Sequence, residues 1–168
     1  MVDLERYSEA LETFERRLST LASAHNVLTG RNWSRAQLSV LTSTVIATFG
    51  VNRFTIAGPE AEIGPRTALV LSLMLHELAT NAVKYGALSV PTGKITVTWS
   101  LLPSEHGERF KLCWAERGGP PAKEPTRKGF GTHLIRMGLT GSGNVTLDYG
   151  PDGLTVRASA PFHLMHDI

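Results

Sequence analysis

The chain has 168 residues with hydrophobic residues at 42% and charged residues at 19%, a balance that closes one globular core and excludes a disordered or collagen-like chain. Lysine and arginine number 17 against 15 aspartates and glutamates, and a formal charge of +2 is too small for a nucleic-acid face to be the default expectation. The single cysteine, Cys113, excludes an internal disulfide and suits a reducing cytoplasm, and no apolar stretch is long enough to span a membrane or to read as a signal peptide.

From Asp3 to Leu28, Leu4, Tyr7, Leu11, Phe14, Leu18, Leu21, His25 and Leu28 recur at alternating steps of three and four, the spacing of a heptad seam. Acidic and basic flanks from Glu5 to Arg17 complete a long helix that Gly30 can stop. The seam faces either a partner helix, internal or from a second subunit, or the chain's own domain. Ser34 is placed to cap a second helix bearing Leu38, Leu41, Val45, Ile46 and Phe49, after which Arg53 to Ala57 alternates as a short strand.

Gly58-Pro59 turns the chain, and Gly64-Pro65 opens a third helix running through Tyr85 to a Gly86 cap. That helix is apolar on most sides, except that Glu77, Asn81 and Lys84 stand at i, i+4 and i+7 with Tyr85 beside them. Either the stripe faces solvent, or it converges a carboxylate, an amide and an ammonium on a ligand, since burying such a set alone is costly.

Lys94 to Leu101 and Arg109 to Glu116 alternate as strands, expected to be an antiparallel pair around a polar loop from Pro103 to Glu108. Phe110, Leu112, Trp114 and Glu116 share a face, so Glu116 points inward where Gly118 and Gly119 let backbone approach a ligand. From Arg117 to Lys128 the chain turns Gly-, Pro- and Lys/Arg-rich; Arg117, Lys123, Arg127 and Lys128 are either a solvated loop or part of a cover over an anion. Gly129-Phe130-Gly131-Thr132 then enters a helix from Thr132 to Leu139, and a glycine turn at a helix N-terminus cradles anions. Asn144 to Tyr149, the turn Gly150 to Gly153, and Leu154 to Ala160 read as a closing hairpin.

HELATNAVKYGALS at 76–89, WAERGGPP at 114–121, GFGTHLI at 129–135 and LASAHNVLTGRNW at 21–33 resemble the HWE family of sensor histidine kinases, over nearly the whole chain. The resemblance implies an α/β two-layer sandwich of the Bergerat (GHKL) type with a mixed, largely antiparallel sheet. Residues 1–30 would be the second dimerisation helix and 31–168 the catalytic ATP-binding domain. It further implies ATP and Mg²⁺ as ligands, with Asn81 on the metal, Glu77 as polarising base or as an orienting group near that metal, Lys84 on phosphate and Tyr85 on adenine or ribose. Glu116 would accept from the adenine amine beside Gly118, while Gly129, Phe130, Gly131 and Thr132 would bound the triphosphate.

His76 is either a chemical participant or a histidine that orients Glu77, and Trp114 is core with a secondary place under adenine. The phosphoacceptor histidine of such kinases lies on a first dimerisation helix that the resembled region lacks, and His25 lies on the heptad seam, where an acceptor would be hidden. The resemblance therefore implies a C-terminal piece of a larger sensor, with an upstream sensor domain, the first helix, a response-regulator receiver domain and a homodimer as its partners, and neither nucleic acid nor a membrane span. A serine kinase of the anti-sigma type and a degenerate phosphotransfer adaptor on the same fold are the rivals.

Overall fold

The computed structural model describes residues 16–17, 36–126, 129–140 and 144–166. The expected heptad seam, Gly30, Ser34 and His25 lie outside these residues, apart from Arg16 and Arg17, which are helical.

The described chain runs β1 (Ala36–Gln37), α1 (Leu38–Ile46), β2 (Phe54–Ala57), β3 (Glu62–Ile63), α2 (Pro65–Tyr85), β4 (Lys94–Ser104), β5 (Gly107–Arg117), α3 (Phe130–Met137), β6 (Val145–Gly150) and β7 (Gly153–Pro161). A five-stranded sheet has the order β2-β4-β5-β7-β6, antiparallel throughout except for the parallel pair β2 and β4. The parallel pair follows from α2, which carries the chain from one end of the sheet back to the same end.

The helices and the sheet form two layers with one core between them. Leu71, Met74, Leu75 and Leu78 of α2 and Leu38 and Leu41 of α1 are buried with Ile95, Val97, Phe110 and Trp114 of the sheet. Burial alternates along β5, with Phe110, Leu112, Trp114 and Glu116 inside and Lys111 outside, as expected of a sheet covered on one face. α2 begins with Pro65 at its first turn and ends at Tyr85, both as the sequence indicates.

The first helix of the domain begins three residues later than a Ser34 cap would place it, at Leu38 with Gln37 as N-cap. Ala36 and Gln37 are instead drawn into a two-residue antiparallel pair with Glu62 and Ile63. Phe49 falls on a 3₁₀ turn rather than in α1, and Arg53 lies just before β2. The polar segment from Pro103 to Glu108 is not a loop: β4 and β5 pair to Ser104 and Gly107, leaving Glu105 and His106 to turn the chain. Pro103 is tolerated because β2 stops pairing at Thr98, so that end of β4 is an edge. α3 starts at Phe130, two residues before the expected Thr132, and ends at Met137, ahead of Leu139.

Candidate nucleotide site

Glu116 ends β5 on the buried face and is 2% exposed. Its Oε2 accepts from the backbone N–H of Ala87 at 3.0 Å, and its Oε1 accepts from the Trp114 indole N–H at 3.1 Å. Burial pushes this carboxyl above its ordinary value, against the opposing pull of those two hydrogen bonds. Gly86 is glycine for the same reason. Its backbone, at φ −117°, is open to other residues, but a Cβ there would stand 2.1 Å from the Glu116 carboxylate.

The turn after α2 is held from a second direction. Arg53 donates to the carbonyls of Gly93 at 2.7 Å, Ala87 at 3.1 Å and Val90, so one guanidinium spans the segment whose amide binds Glu116. Sequence reading missed this arginine, because its partners lie more than thirty residues away and no local period marks them.

Three turns back along α2, Glu77 is 9% exposed. Its Oε1 accepts from Arg17 Nε at 3.1 Å, and a Cβ on Gly131 would meet its Oε2 at 2.4 Å. A larger residue at 131 would therefore push the Glu77 carboxylate from this position. Gly129, the N-cap of α3, has open space where a Cβ would be, and no side chain caps the helix. The N-terminal amides of α3 thus lie next to the polar stripe of α2, on the side where an anion is favoured.

Asn81 lies one turn beyond Glu77, half-buried, with no side-chain hydrogen bond among the described residues. Lys84 is exposed and Tyr85 is 74% exposed, so the stripe runs from a buried carboxylate to a solvent-facing rim. The expectation of a mostly buried set therefore holds for Glu77 alone. Thr132 is half-buried on the first turn of α3, and Phe130 begins that helix.

His76 packs edge-on against Phe49 with centroids 5.3 Å apart, and its Nε2 is buried without a hydrogen-bond partner among the described residues, as is Thr80 Oγ1 one turn on. Burial holds its imidazole below the ordinary value; Glu77 pulls the other way and Arg16 and Arg17 add to the lowering. Trp114 is fully buried, which fixes it as core.

Gly118, at φ +77°, and Gly119 are brought close to backbone rather than to open space. A Cβ at Gly118 would meet the Thr92 carbonyl at 2.6 Å and one at Gly119 the Ala87 Cα at 2.5 Å. Their small size thus seats the end of β5 against the segment from Ala87 to Gly93. Arg117 turns to the opposite face of the sheet, donating to the Glu116 carbonyl at 2.6 Å and Thr155 Oγ1 at 3.1 Å, so it forms no part of a cover. Arg127 and Lys128 lie outside the described residues, and Lys123 is exposed.

The helix-covered mixed sheet is shared with solved histidine kinase domains. The histidine kinase domain of the Erythrobacter litoralis EL346 blue-light activated histidine kinase superposes with a TM-score of 0.62 at 17% identity, covering 95% of this chain and 84% of that one. The histidine kinase domain of the E. coli osmosensor EnvZ gives 0.50 at 20% identity over 77% and 88%. These likenesses concern the fold.

Sequence comparison adds the family. Residues 3–60 match the HWE histidine kinase family. The chain is 40% identical over 158 residues to a blue-light-activated histidine kinase of Brucella anthropi, covering 90% of this chain and 32% of that protein. It is 35% identical over 158 residues to the Brucella ovis protein of the same name, covering 91% and 32%. The chain belongs to the HWE histidine kinase family, and it spans about a third of the length of these relatives.

Proposed function

We propose that the chain is the ATP-binding catalytic region of a sensor histidine kinase, with residues 1–30 as its second dimerisation helix and 31–168 as its catalytic domain. The observation that carries this reading is the seat of Gly131 against Glu77, which sets uncapped helix amides beside a carboxylate and a free amide side chain. Phosphoryl transfer asks chiefly for such positioning and charge stabilisation.

The residues suit a magnesium nucleotide. No cluster of metal-binding side chains exists among the described residues, so a cation held by protein alone is not what the site offers. Mg²⁺ is usually bound by one or two protein oxygens together with substrate phosphates, and the Asn81 amide oxygen and Glu77 supply that class of donor. When bound, the metal neutralises charge on the phosphates. The α3 amides from Gly129 to Thr132 hold phosphate oxygens, and Lys84 reaches them from the rim. Glu77 receives or orients the proton of the acceptor imidazole, and His76 packs behind it as a support.

Glu116 reads the base. Each of its oxygens already accepts one hydrogen bond and keeps a further lone pair, so the exocyclic amine of adenine can be added where the carbonyl of guanine cannot. Tyr85 covers the adenine or ribose from the exposed end of α2. The reading extends to a homodimer through the N-terminal helix, transfer onward to the aspartate of a response-regulator receiver domain, and a cytoplasmic setting. Among the described residues no helix is long and apolar enough to cross a membrane.

The test is phosphate transfer in trans. The chain is mixed with a peptide carrying a first dimerisation helix, Mg²⁺ and γ-labelled ATP. Acid-labile label on the peptide's histidine, abolished by Asn81→Ala, is the expected result. Acid-stable label would mark a serine kinase instead, and absence of both ATP binding and transfer would mark a degenerate adaptor.

A further inference from the structure

Helices α1, α2 and α3 pack on one face of the sheet, and the other face, left open by the described residues, is strongly basic. The register puts Lys94, Arg109, Lys111, Arg117 and Arg157 on that open face, with Asp148 as the one acidic residue among them. None of the five cations makes an ion pair among the described residues. Arg109 and Arg117 instead lie along the sheet, donating to the hydroxyls of Ser159 and Thr155. Lys111 and Arg157 border an open groove of about 620 Å³ that Thr98, Ser100, Cys113 and Ser159 also line.

Charge is thus segregated. Among the described residues, five cations and one carboxylate stand on the open face, against seven cations and eight carboxylates elsewhere. Leaving unpaired like charges side by side on neighbouring strands is unfavourable in isolation, and an opposite charge brought to them removes that repulsion.

We propose that the open face of the sheet is a docking surface for a compact acidic patch on a folded protein partner. This goes beyond the nucleotide reading and does not depend on it, since none of these side chains belongs to the site between α2 and α3. Three observations select the occupant. Arg109 and Arg117 are eight residues apart on β5, which is roughly 27 Å at about 3.4 Å per residue, too dispersed for a small anion. Lys94, Lys111, Arg117 and Arg157 are all exposed on this face, so an apolar partner would desolvate four cations without pairing them.

The third observation excludes a long polyanion. Carboxylates border the basic area: Glu105 at the β4–β5 turn, Asp148 on the edge strand and Asp152 in the β6–β7 turn. They repel a nucleic-acid duplex running past the face but leave room for a patch that ends within it. The buried aromatics Phe110 and Trp114 point to the helix side, so this face presents no such ring for stacking single-stranded bases.

The experiment measures binding of an eight-residue oligoglutamate probe to the whole chain by fluorescence anisotropy, at low and at physiological ionic strength. The probe is expected to bind, to weaken with salt, and to lose about tenfold in affinity in the double variant Lys111→Glu, Arg157→Glu. A control carrying the same change in net charge elsewhere, Arg66→Glu with Arg136→Glu, is expected to stay within about twofold of the unmodified chain. Mg·ATP binding, unchanged in both, reports that they fold; Lys111→Gln with Arg157→Gln substitutes if the charge reversal does not. Absence of probe binding, equal losses in the two double variants, or a short DNA duplex that binds more tightly and displaces the probe would each overturn the proposal.

Discussion

Replacing Glu116 by glutamine tests the arrangement at the end of β5 without changing its shape. Both groups that the carboxylate meets are donors, the Ala87 N–H at 3.0 Å and the Trp114 indole N–H at 3.1 Å. A carboxylate accepts from both, whereas an amide has one accepting oxygen and must turn its NH₂ toward the other donor. One buried N–H is then left unpaired in whichever orientation the amide takes, at a cost of about 1–3 kcal/mol. Ionisation of the native residue sets the pH dependence. Its carboxyl lies above the ordinary 4.5 in the folded chain, so the stabilisation specific to Glu116 is fully present below the unfolded value and is lost as pH rises through the raised folded one. The gap between the unmodified chain and Glu116→Gln should therefore widen from neutral toward acid pH. Urea unfolding followed by tryptophan fluorescence across that range measures it. A glutamine variant equal in stability to the parent at both ends would refute the two-donor geometry.

Other substitutions probe the remaining joints. Gly131→Ala puts a Cβ against the Glu77 carboxylate and should weaken Mg·ATP binding in calorimetry by about 1–2 kcal/mol while the thermal transition shows the domain still folded. Arg53→Lys keeps the charge but cannot span three carbonyls; a loss of about 1–3 kcal/mol in urea unfolding is expected, and a neutral result would show that the clasp adds nothing. Arg17→Ala and Glu77→Gln should be non-additive in stability by about 0.5–3 kcal/mol, since they remove the same 3.1 Å pair, and additivity would dissolve that contact. The lowered imidazole of His76 confers stability that is present above its ordinary 6.5 and is lost as pH falls through the lowered folded value. His76→Gln should accordingly lose less stability than the parent between about pH 7 and 5, and parallel profiles would contradict the assignment.

The parts of the fold visible in the sequence are those whose signal is local. Pro65 and the apolar spacing up to Tyr85 define α2, and alternation defines β4, β5 and the closing hairpin, because each element's own burial produces its own period. The inward direction of Glu116 follows from the same alternation. What the sequence hides is non-local or too short to have a period. The pair of Ala36–Gln37 with Glu62–Ile63 is two residues long, and the ends of β4 and β5 are exposed on both faces, so their strand character leaves no alternation to read. The contacts that build the site are of the hidden kind. Ala87 to Glu116, Arg53 to the segment after α2, and Arg17 to Glu77 join positions 29, 34 and 60 residues apart. The residue types of the site were legible, but the reason for Gly86 and Gly131 was not, since it lies in what a Cβ would strike.

A nucleotide held between α2 and the N-terminus of α3 is tested most directly by calorimetric titration of the chain with ATP and GTP at saturating Mg²⁺, alongside Asn81→Ala. ATP should bind and GTP much more weakly. Asn81→Ala should lose about 1.5–3 kcal/mol of ATP affinity, the scale of a hydrogen bond to a charged group. Equal affinities for the two nucleotides, or an Asn81→Ala chain that binds Mg·ATP as the parent does, would contradict it.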